Sequence, residues 1–483
     1  METIDNIPFK DFNGLFEIIH LFEGTNKIAC KLLNAKSLGF YSNVVIRKIE
    51  KDNDFRIVLT NSKTTSSVRF WGIGETKKIE YLAIEINGNH FKIENAFVVN
   101  IEESFGANSK NAKVTAQFNE LIKIQNNTDF HFQRLIIPCE KDIFFPFYFE
   151  DVIGYKTKEK AVMGLVPILI DSQNFDIFKH IIEISSIKRN YLIIDSTDEM
   201  TLEIFQNHVY SILIGFGFIT GCFLQKIGFY FSFDKQKKLQ GIQVQGKRKS
   251  VYSFLSPIYK NPYGIFQNRD YHDKYHNIIR GVKSSEISKL CHLIYSSQDF
   301  MVIILLILES CAVTQIIQPA GFAVALEGFS AFIKKEMEKE REKISPKLSS
   351  KILGDLKMVL TNNKEKLGDS FDLFYKKIDQ INQPTNKDTL IKPFEYLKIP
   401  INDIDKQTVA HRNDLLHGRY DLKSTYESEN NQNYRFLIST RLYTLLSALI
   451  MKYIGFDNMI INYPKKYEYL LNITSDEEPF RQI

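Results

Sequence analysis

The sequence contains few cysteines, and none of them is spaced as a metal or disulfide framework requires. Five cysteines are scattered over 483 residues, with no C-x-x-C pair: Cys30, Cys139, Cys222, Cys291 and Cys311. This odd number and wide spacing predict buried thiols in a reducing compartment. A disulfide-rich scaffold and a zinc ribbon are therefore excluded, and we expect neither a metal nor another cofactor.

The sequence also lacks a glycine-rich phosphate loop and a secretory signal. Trp71-Gly72-Ile73-Gly74 and Gly215-Phe216-Gly217 have neither the full glycine pattern nor the strand-to-helix setting of such loops. Met1 to Asp5 is acidic and has no apolar core, so we expect a cytoplasmic protein. Ile204 to Gln225 lacks charged residues over a length that could span a bilayer. Its polar residues and glycines favour a buried helix, and we expect no membrane association.

The composition is that of a globular chain with several domains. A length of 483 residues predicts two to four domains, and 44% hydrophobic with 25% charged residues is ordinary. The formal net charge of +5 permits a nucleic acid partner without demanding one.

The order of patterns along the chain predicts a multidomain α+β fold with three parts. Residues 1–140 carry short β-branched runs separated by turn signals, including Asn87-Gly88-Asn89, and predict a β-rich domain built as a sandwich or curled sheet. Residues 141–283 predict a mixed α/β middle domain. Residues 284–483 show apolar residues at spacings of three and four, which predict an all-α helical bundle.

Several element boundaries follow from local signals. Ser196-Thr197-Asp198-Glu199 has the pattern of a capping box and predicts a helix over about 197–224. Strands are expected at Gly228 to Phe233 and Gly241 to Gln245. Residues 257–283 and 382–400 are expected to be irregular. Further helices are expected at about 347–361, 365–381, 404–417 and 432–454, with Asp403 or Asp405 as the cap of the third.

The strongest chemical signal is Arg412-Asn413-Asp414-Leu415-Leu416-His417-Gly418, at the end of a predicted helix. The arginine guanidinium is always positively charged and can donate two parallel hydrogen bonds to a phosphate, and histidine transfers protons near neutral pH. His417 could take the proton of an RNA 2′-hydroxyl or protonate the leaving oxygen, while Arg412 stabilises the phosphate. Asn413 shares a helix face with His417 and could orient its imidazole.

The angular positions of Arg412 and His417 favour a site completed by a second chain, because the two residues lie about 140° apart around an ideal helix. The spacing alone is weak evidence, since Arg269 and His276 give a similar match in the irregular connection. The helical setting, Asn413 and Gly418 distinguish the first match from the second.

The motif Arg-Asn-x-x-x-His-Gly at 412–418 resembles that of the HEPN superfamily of RNases. The order of regions, and Ala325-Leu326-Glu327 upstream, resemble more closely the ApeA-like anti-phage HEPN proteins. Over residues 284–460 the resemblance implies a HEPN-like bundle in which Arg412 and His417 are catalytic and Asn413 is auxiliary. It also implies a homodimer or higher homo-oligomer formed through the C-terminal helical domain, metal-independent RNA cleavage, and abortive infection started by a phage-derived trigger.

Other residues are weaker candidates for RNA binding. Lys235, Lys237 and Lys238 precede the strand Gly241 to Gln245, and Lys247, Arg248 and Lys249 follow it; Asp234 is the one opposing charge that the sequence suggests. A solvated hairpin is the favoured explanation of these charges. Arg419 and Tyr420 follow the motif and could touch RNA.

Glu327 could brace Arg412, or it could form a structural ion pair or be solvated. Two alternative functions also remain. One is a non-catalytic HEPN-like module that binds RNA or protein. The other is a scaffold in which Arg412 pairs with Asp414 or Glu327.

Overall fold

The computed structural model describes most of the chain in two compact units. The described residues are 3–4, 13–23, 27–34, 43–49, 54–61, 78–106, 109–123, 131–156, 161–184, 187–225, 227–246, 250–340, 346–380, 386–410, 431–471 and 476–483. The β-rich unit comprises residues 1–261 and 276–296, and the helical unit comprises residues 262–275 and 297–483. The chain is thus an α+β protein with a β-rich N-terminal region and C-terminal helices.

The first strands of the β-rich unit close into a six-stranded antiparallel barrel. The strand order is β2-β3-β4-β7-β6-β5, and β5 pairs back onto β2. The predicted hairpin is confirmed, because Asn87 and Gly88 have φ values of 48° and 77°, as a type I′ turn requires. The barrel strands are β2 (Lys27–Leu32), β3 (Asn43–Ile49), β4 (Asp54–Asn61), β5 (Lys78–Ile86), β6 (Asn89–Gly106) and β7 (Ser109–Phe118).

The barrel continues into a second stretch of the same sheet through β8 (Glu120–Lys123), which pairs with β6. The strand order from β8 is β16-β15-β9-β13-β12-β11-β10-β1. These strands are β1 (Thr3–Ile4), β9 (Phe132–Cys139), β10 (Ile153–Lys156), β11 (Ala161–Ile170), β12 (Gln173–Ile184), β13 (Ile187–Ser196), β15 (Gly228–Phe233) and β16 (Leu239–Gln245). A separate pair joins β14 (Cys222–Phe223) to β17 (Val251–Tyr252). The strands predicted at 228–233 and 241–245 are confirmed.

The two compact units differ from the three predicted segments 1–140, 141–283 and 284–483. The strand β9 ends at Cys139, yet it pairs with β13 and β15 from the next segment. Hydrogen bonds between strands thus cross the expected boundary near residue 140. The helix α5 (Ser284–Ser296) packs on α2 (Leu202–Thr220) and β11, so it belongs to the β-rich unit.

Helices cover both faces of the second stretch of sheet. On one face, Phe22 of α1 (Asn13–Glu23) contacts Phe55 of the barrel and Phe229 of β15. On the other face, Phe205 of α2 packs against Phe175 and Tyr230. The helix α2 has the length and composition of a membrane span. Its residues 211–220 are all buried inside the unit, as expected of a core helix.

The start of α2 differs from the prediction. Its N-cap is Thr201, whose side chain accepts a hydrogen bond from the Ile204 N–H group. The predicted capping residue Ser196 still belongs to β13, where its hydroxyl accepts the Gln133 N–H at 2.8 Å. A contact between strands distant in sequence therefore competes with the local capping signal.

The helical unit is built around one long buried helix, α13 (Asn431–Tyr453). All residues from Leu437 to Met451 are buried, and α13 packs against α7, α12 and α14. The helices of this unit are α3 (Pro262–Phe266), α4 (Arg269–Tyr275), α6 (Gln298–Ser310), α7 (Gln318–Glu340), α8 (Pro346–Asn362), α9 (Lys364–Leu367), α10 (Phe371–Gln380), α11 (Asn386–Tyr396), α12 (Asp403–Ala410), α13 and α14 (Tyr463–Leu471). Two short strands, β18 (Met459–Ile461) and β19 (Phe480–Gln482), pair with each other.

Two segments predicted to be irregular contain helices. The short helices α3 and α4 lie within 257–283, and α11 lies within 382–400 with Pro393 inside it. In α11, Leu390 and Phe394 are buried, and the helix packs against α7 and α12. Burial of this apolar face outweighs the proline signal that predicts a loop. The predicted helices near 347–361 and 432–454 are confirmed, and the one near 365–381 is present as α9 and α10.

Candidate functional site

Most of the predicted site residues lie outside the described residues. Arg412, Asn413, His417, Arg419 and Tyr420 fall in 411–430. Lys247, Arg248 and Lys249 fall in another segment outside the described residues, 247–249. The structure does describe Glu327 and both helices that flank 411–430. The geometry described below is therefore that of the residues and helices next to the motif, which we call its frame.

The helix α12 leads directly into the segment that carries the motif. At its start, the Asp405 N–H group donates to Asn402 Oδ1 at 2.8 Å. In return, the Asn402 N–H group donates to Asp405 Oδ2 at 3.1 Å. This is a reciprocal capping box, so Asn402 is the cap in place of the predicted Asp403 or Asp405. Val409, near the end of α12, is fully buried.

A buried ion network holds α12 in the helical unit, and we call its four members the α12 network: Asp405, Arg441, Glu477 and Arg481. Arg441 Nη1 lies 2.9 Å from Asp405 Oδ1 and 2.8 Å from Glu477 Oε1. Arg481 donates to both oxygens of Asp405. Two positive and two negative groups thus balance one another in a place where an unpaired charge would be strongly destabilising.

Amide side chains complete the surroundings of Glu477. Asn402 Nδ2 donates to Glu477 Oε1 at 2.9 Å, and Asn462 Nδ2 donates to Glu477 Oε2 at 3.1 Å. Burial by itself would raise the pKa of Glu477, but hydrogen bonding and the charge of Arg441, assisted by the two amides, lower it to about 2. Glu477 is therefore ionised at neutral pH and remains a stable partner for Arg441.

The network connects three distant parts of the helical unit. Asp405 lies on α12, Arg441 on α13, and Glu477 and Arg481 near residue 483. The chain enters 411–430 from α12 and leaves it into α13. The helix before the motif is thus anchored by charge-assisted hydrogen bonds to the helix after it. Such anchoring can fix the position of the helix from which the chain enters the motif.

The network was not predicted from the sequence, although one signal for it exists. Arg441 is the only charged residue between Arg435 and Lys452 in the sequence. A lone charge within a long apolar helix predicts a buried partner. Nothing local to Arg441 identifies Asp405 or Glu477 as that partner.

Glu327 lies on α7 in the position that the sequence suggested. Its neighbours Leu326 and Phe329 are fully buried, whereas Glu327 is half-buried at the edge of the helix. Because Arg412 lies outside the described residues, a brace between Glu327 and Arg412 stays a prediction.

The second Arg–His match consists of surface residues. Arg269 is the first residue of α4, and His276 follows the end of that helix. Both are exposed. They offer a matched control for any experiment on Arg412 and His417.

Of the basic residues around β16, the structure describes those in the turn 234–238, which precedes the strand. The expectation that Asp234 alone opposes these charges is wrong, since Glu199 Oε2 lies 3.7 Å from Lys235 Nζ and 2.9 Å from His131 Nδ1. The described turn is therefore partly neutralised, which favours the solvated-hairpin interpretation for the turn.

Among the described residues, no group of three or more His, Cys, Asp or Glu side chains is placed to hold a metal ion. No protein-family model, curated protein or solved structure matched this chain. A functional assignment consequently depends on the residues of the chain itself.

Proposed function

We propose that this protein is a metal-independent endoribonuclease of the HEPN type that acts as an effector of anti-phage defence. The observation that carries the proposal is the motif Arg-Asn-x-x-x-His-Gly at 412–418, directly after α12. The placement of this motif between α12 and α13 supports the proposal, because the HEPN resemblance expects the motif late in a C-terminal helical domain. The proposed location is the cytoplasm, and the proposed role of the β-rich unit is to sense a phage-derived trigger or to restrain the nuclease.

In the proposed reaction, the 2′-oxygen of a ribose attacks the adjacent phosphorus. A basic imidazole removes the 2′-hydroxyl proton, and the bond from phosphorus to the 5′-oxygen breaks. The leaving 5′-oxygen takes up a proton, which His417 or its symmetry mate supplies. Arg412 hydrogen-bonds the phosphate and stabilises its developing charge. The products are a 2′,3′-cyclic phosphate and a 5′-hydroxyl.

The proposed site is completed by a second copy of the chain. Arg412 and His417 lie about 140° apart on an ideal helix, so one helix does not direct both at the same phosphate. Asn413, one turn before His417, would orient the imidazole. Arg419, Tyr420 and the basic segment 247–249 remain proposed RNA contacts.

The test compares purified wild type with Arg412→Ala and His417→Ala on generic RNA, with 3′-end analysis of the products. Loss of a general acid–base group predicts a fall in rate of about 10²–10⁴-fold. The matched controls are Arg269→Ala and His276→Ala, which remove the exposed Arg–His pair and should leave the rate unchanged. Cleavage should persist in EDTA, and a 2′-deoxy nucleotide at the cleavage position should block it.

Each alternative has its own signature. RNA binding without cleavage by wild type, with or without magnesium, would support a non-catalytic binding module. A rate that is equal in wild type, Arg412→Ala and His417→Ala would contradict the catalytic assignment. Cleavage that disappears in EDTA would contradict the metal-free mechanism.

A further inference from the structure

Three basic side chains lie next to one another on the outer surface of the six-stranded barrel. Lys27 of β2 lies opposite Arg47 of β3, and Arg47 lies opposite Arg56 of β4. Ile46 and Ile57, their neighbours along the chain, are fully buried inside the barrel, so Arg47 and Arg56 point outward. We name the three residues the basic row: Lys27, Arg47 and Arg56. Because neighbouring strands are about 4.8 Å apart, the basic row extends about 10 Å across three strands.

The basic row brings like charges into directly opposite positions, which destabilises the pairing of strands. On one side of the row, the next outward positions of β2, β3 and β4 are uncharged and hold Ala29, Val45 and Val58. On the other side, the outward positions that the structure describes on these strands include one acidic residue, Asp54, two residues before Arg56. Within the described part of these strands, three positive charges therefore adjoin a single acidic residue.

The other basic side chains on the barrel strands have acidic partners. Among the lysines and arginines of β2 to β7 whose side chains the structure describes, three form ion pairs: Lys31 with Glu85, Lys92 with Glu94, and Lys113 with Glu102. The three that form no ion pair with a described residue are the members of the basic row. Arg56 is half-buried, and its Nε atom lacks a hydrogen-bond partner within the described part of the chain. The barrel thus neutralises its described cations except along one line, which indicates an anion from another molecule.

The basic row suits a chain of phosphates better than it suits other anions. Two of its members are arginines, and a guanidinium donates two parallel hydrogen bonds to a phosphate. A strand of nucleic acid in helical form carries one phosphate about every 3.4 Å, so each of the three cations can meet a phosphate of the same strand. An anionic lipid surface would also favour exposed large apolar side chains beside the cations, and the described residues of β3 and β4 include none.

We propose that the basic row binds a strand of nucleic acid through its phosphates, without reading the base sequence. The strand crosses β2, β3 and β4 on the outside of the barrel, and its charge offsets the repulsion among the three basic side chains. This binding does not depend on cleavage of the strand. That the bound strand is the RNA substrate rests on the proposed function, which assigns cleavage to Arg412 and His417.

The experiment measures the affinity of the full chain for fluorescein-labelled oligo(dT) of about 20 nucleotides by fluorescence anisotropy, over a range of salt concentrations. This probe lacks the 2′-hydroxyl that the proposed cleavage needs, so it stays intact. Each phosphate contact on a single strand makes the slope of log K against log salt steeper by about 0.7. The double variant Lys27→Ala/Arg47→Ala should therefore flatten the slope by about 1.4. That change corresponds to about 70-fold weaker binding at about 50 mM salt, and it shrinks to none near about 1 M.

The matched control is Lys31→Ala/Lys113→Ala, which removes the same number of positive charges from the outside of the same barrel. Each of these lysines has a carboxylate partner, and Lys31 lies about 13 Å along β2 from Lys27. The control should keep the wild-type slope, because a change in net charge alone removes no phosphate contact. Thermal melts of both double variants check the fold. Removal of like charges from opposite strands should leave the thermal midpoint of Lys27→Ala/Arg47→Ala unchanged or slightly raised.

Three results would overturn the proposal. The first is the absence of oligo(dT) binding by wild type at about 50 mM salt and up to about 100 µM protein, the weak end of sequence-independent binding. The second is a salt slope that is the same in wild type and in Lys27→Ala/Arg47→Ala, or that the control flattens equally. The third is binding of oligo(dT) but not of 2′-O-methyl oligo(U) of the same length, because phosphate contacts do not distinguish the two strands.

An acidic protein is the other partner that a row of cations can take. If poly-glutamate of the same length binds as tightly as oligo(dT), and Lys27→Ala/Arg47→Ala weakens both equally, the row binds an acidic protein and the nucleic acid assignment is wrong. The nuclease proposal is tested separately. If oligo(dT) binding depends on the basic row but wild type never cleaves RNA, the basic row stands and the nuclease function fails. If wild type cleaves RNA while changes in the basic row alter no binding, the nuclease stands and the basic row fails.

Discussion

Removal of the Asp405 carboxylate is the most informative perturbation of the frame around the predicted motif. In the folded chain this carboxylate accepts hydrogen bonds from Arg441, Arg481 and the Asn402 N–H group. The variant Asp405→Ala leaves Arg441 buried with Glu477 as its remaining charged partner, and it opens the capping box of α12.

The expected loss of stability follows from the burial of the two arginines. Breaking a buried ion pair by removing one partner is destabilising by about 3–5 kcal/mol. Arg441 is 3% exposed, so water cannot replace Asp405 there, whereas Arg481 is more accessible and recovers some hydration. The value for the ion pairs should therefore lie near the lower end, about 3 kcal/mol. Asn402 still caps α12, and the lost reciprocal hydrogen bond from its N–H group adds about 0.5–1.5 kcal/mol.

The assay is urea unfolding followed by circular dichroism at 222 nm, a signal that comes mostly from the helical unit. With a denaturant slope of about 2–3 kcal/mol/M, the midpoint should fall by about 1–2 M. The variant Asp405→Asn, which keeps the shape but not the charge, should lose most of the same amount, because the charge pairing dominates.

The control variant, Asp403→Ala, changes an exposed carboxylate on the same helix. Asp403 is two residues away, is exposed, and pairs with Lys406 across 3.3 Å of solvated surface. Asp403→Ala should leave the midpoint unchanged within error, because exposed ion pairs contribute little. A midpoint shift no larger for Asp405→Ala than for Asp403→Ala would show that the α12 network does not stabilise the helical unit.

Three other changes have definite expected outcomes. Burial and, secondarily, the charge of Asp195 raise the pKa of Asp176 to about 6, so ionisation of Asp176 destabilises the folded chain as pH rises from about 4 to 6. The variant Asp176→Asn should therefore raise the thermal midpoint at pH 7 but not at pH 4. Equal effects at both pH values would contradict this. Burial opposes ionisation of Glu477, but Arg441 lowers the pKa of this carboxyl to about 2, so ionised Glu477 stabilises the fold above about pH 4.5 and this stabilisation is lost as pH falls toward 2. In Glu477→Gln, the free energy of unfolding measured by urea titrations should decline less steeply over that pH range. An unchanged slope would argue against this role of Glu477. A Cβ on Gly281 would lie 2.5 Å from the Phe149 carbonyl carbon, whereas a Cβ on Gly354 would meet open space. In thermal melts, Gly281→Ala should therefore destabilise the chain by about 2–3 kcal/mol, and Gly354→Ala should stabilise it by about 0.5–1 kcal/mol. The reverse order would refute the packing argument.

Local pattern was sufficient to predict many elements of this chain. The strand at 228–233 and the helix near 432–454 were predicted within a residue of their bounds, because each is rich in apolar residues. Where local signals competed with distant contacts, the prediction was wrong. Ser196 bonds to the neighbouring strand instead of capping α2, and the burial of α11 overrides Pro393.

In the candidate site, too, some features follow from adjacent residues and others depend on distant contacts. The chemistry of Arg412 and His417 comes from a motif of seven adjacent residues, and it stays a prediction because those residues lie outside the described part of the chain. The frame around the motif depends on residues 405, 441, 477 and 481, which are far apart in sequence. Only one of them, Arg441, carries a sequence signal of a buried partner, and the identity of that partner requires the fold.

The sequence by itself determined many of the strands and helices, and where the RNA-cleaving chemistry is proposed to lie, because each of these depends on neighbours within a few residues. Tertiary structure decided that β5 returns to β2 and closes a barrel, that strands on both sides of residue 140 share one sheet, and that Asp405 meets Arg441 and Arg481. These features depend on pairings between residues tens of positions apart. Which pairings form is settled by the joint burial of apolar surface and the mutual satisfaction of buried charges, and no local pattern records either of them.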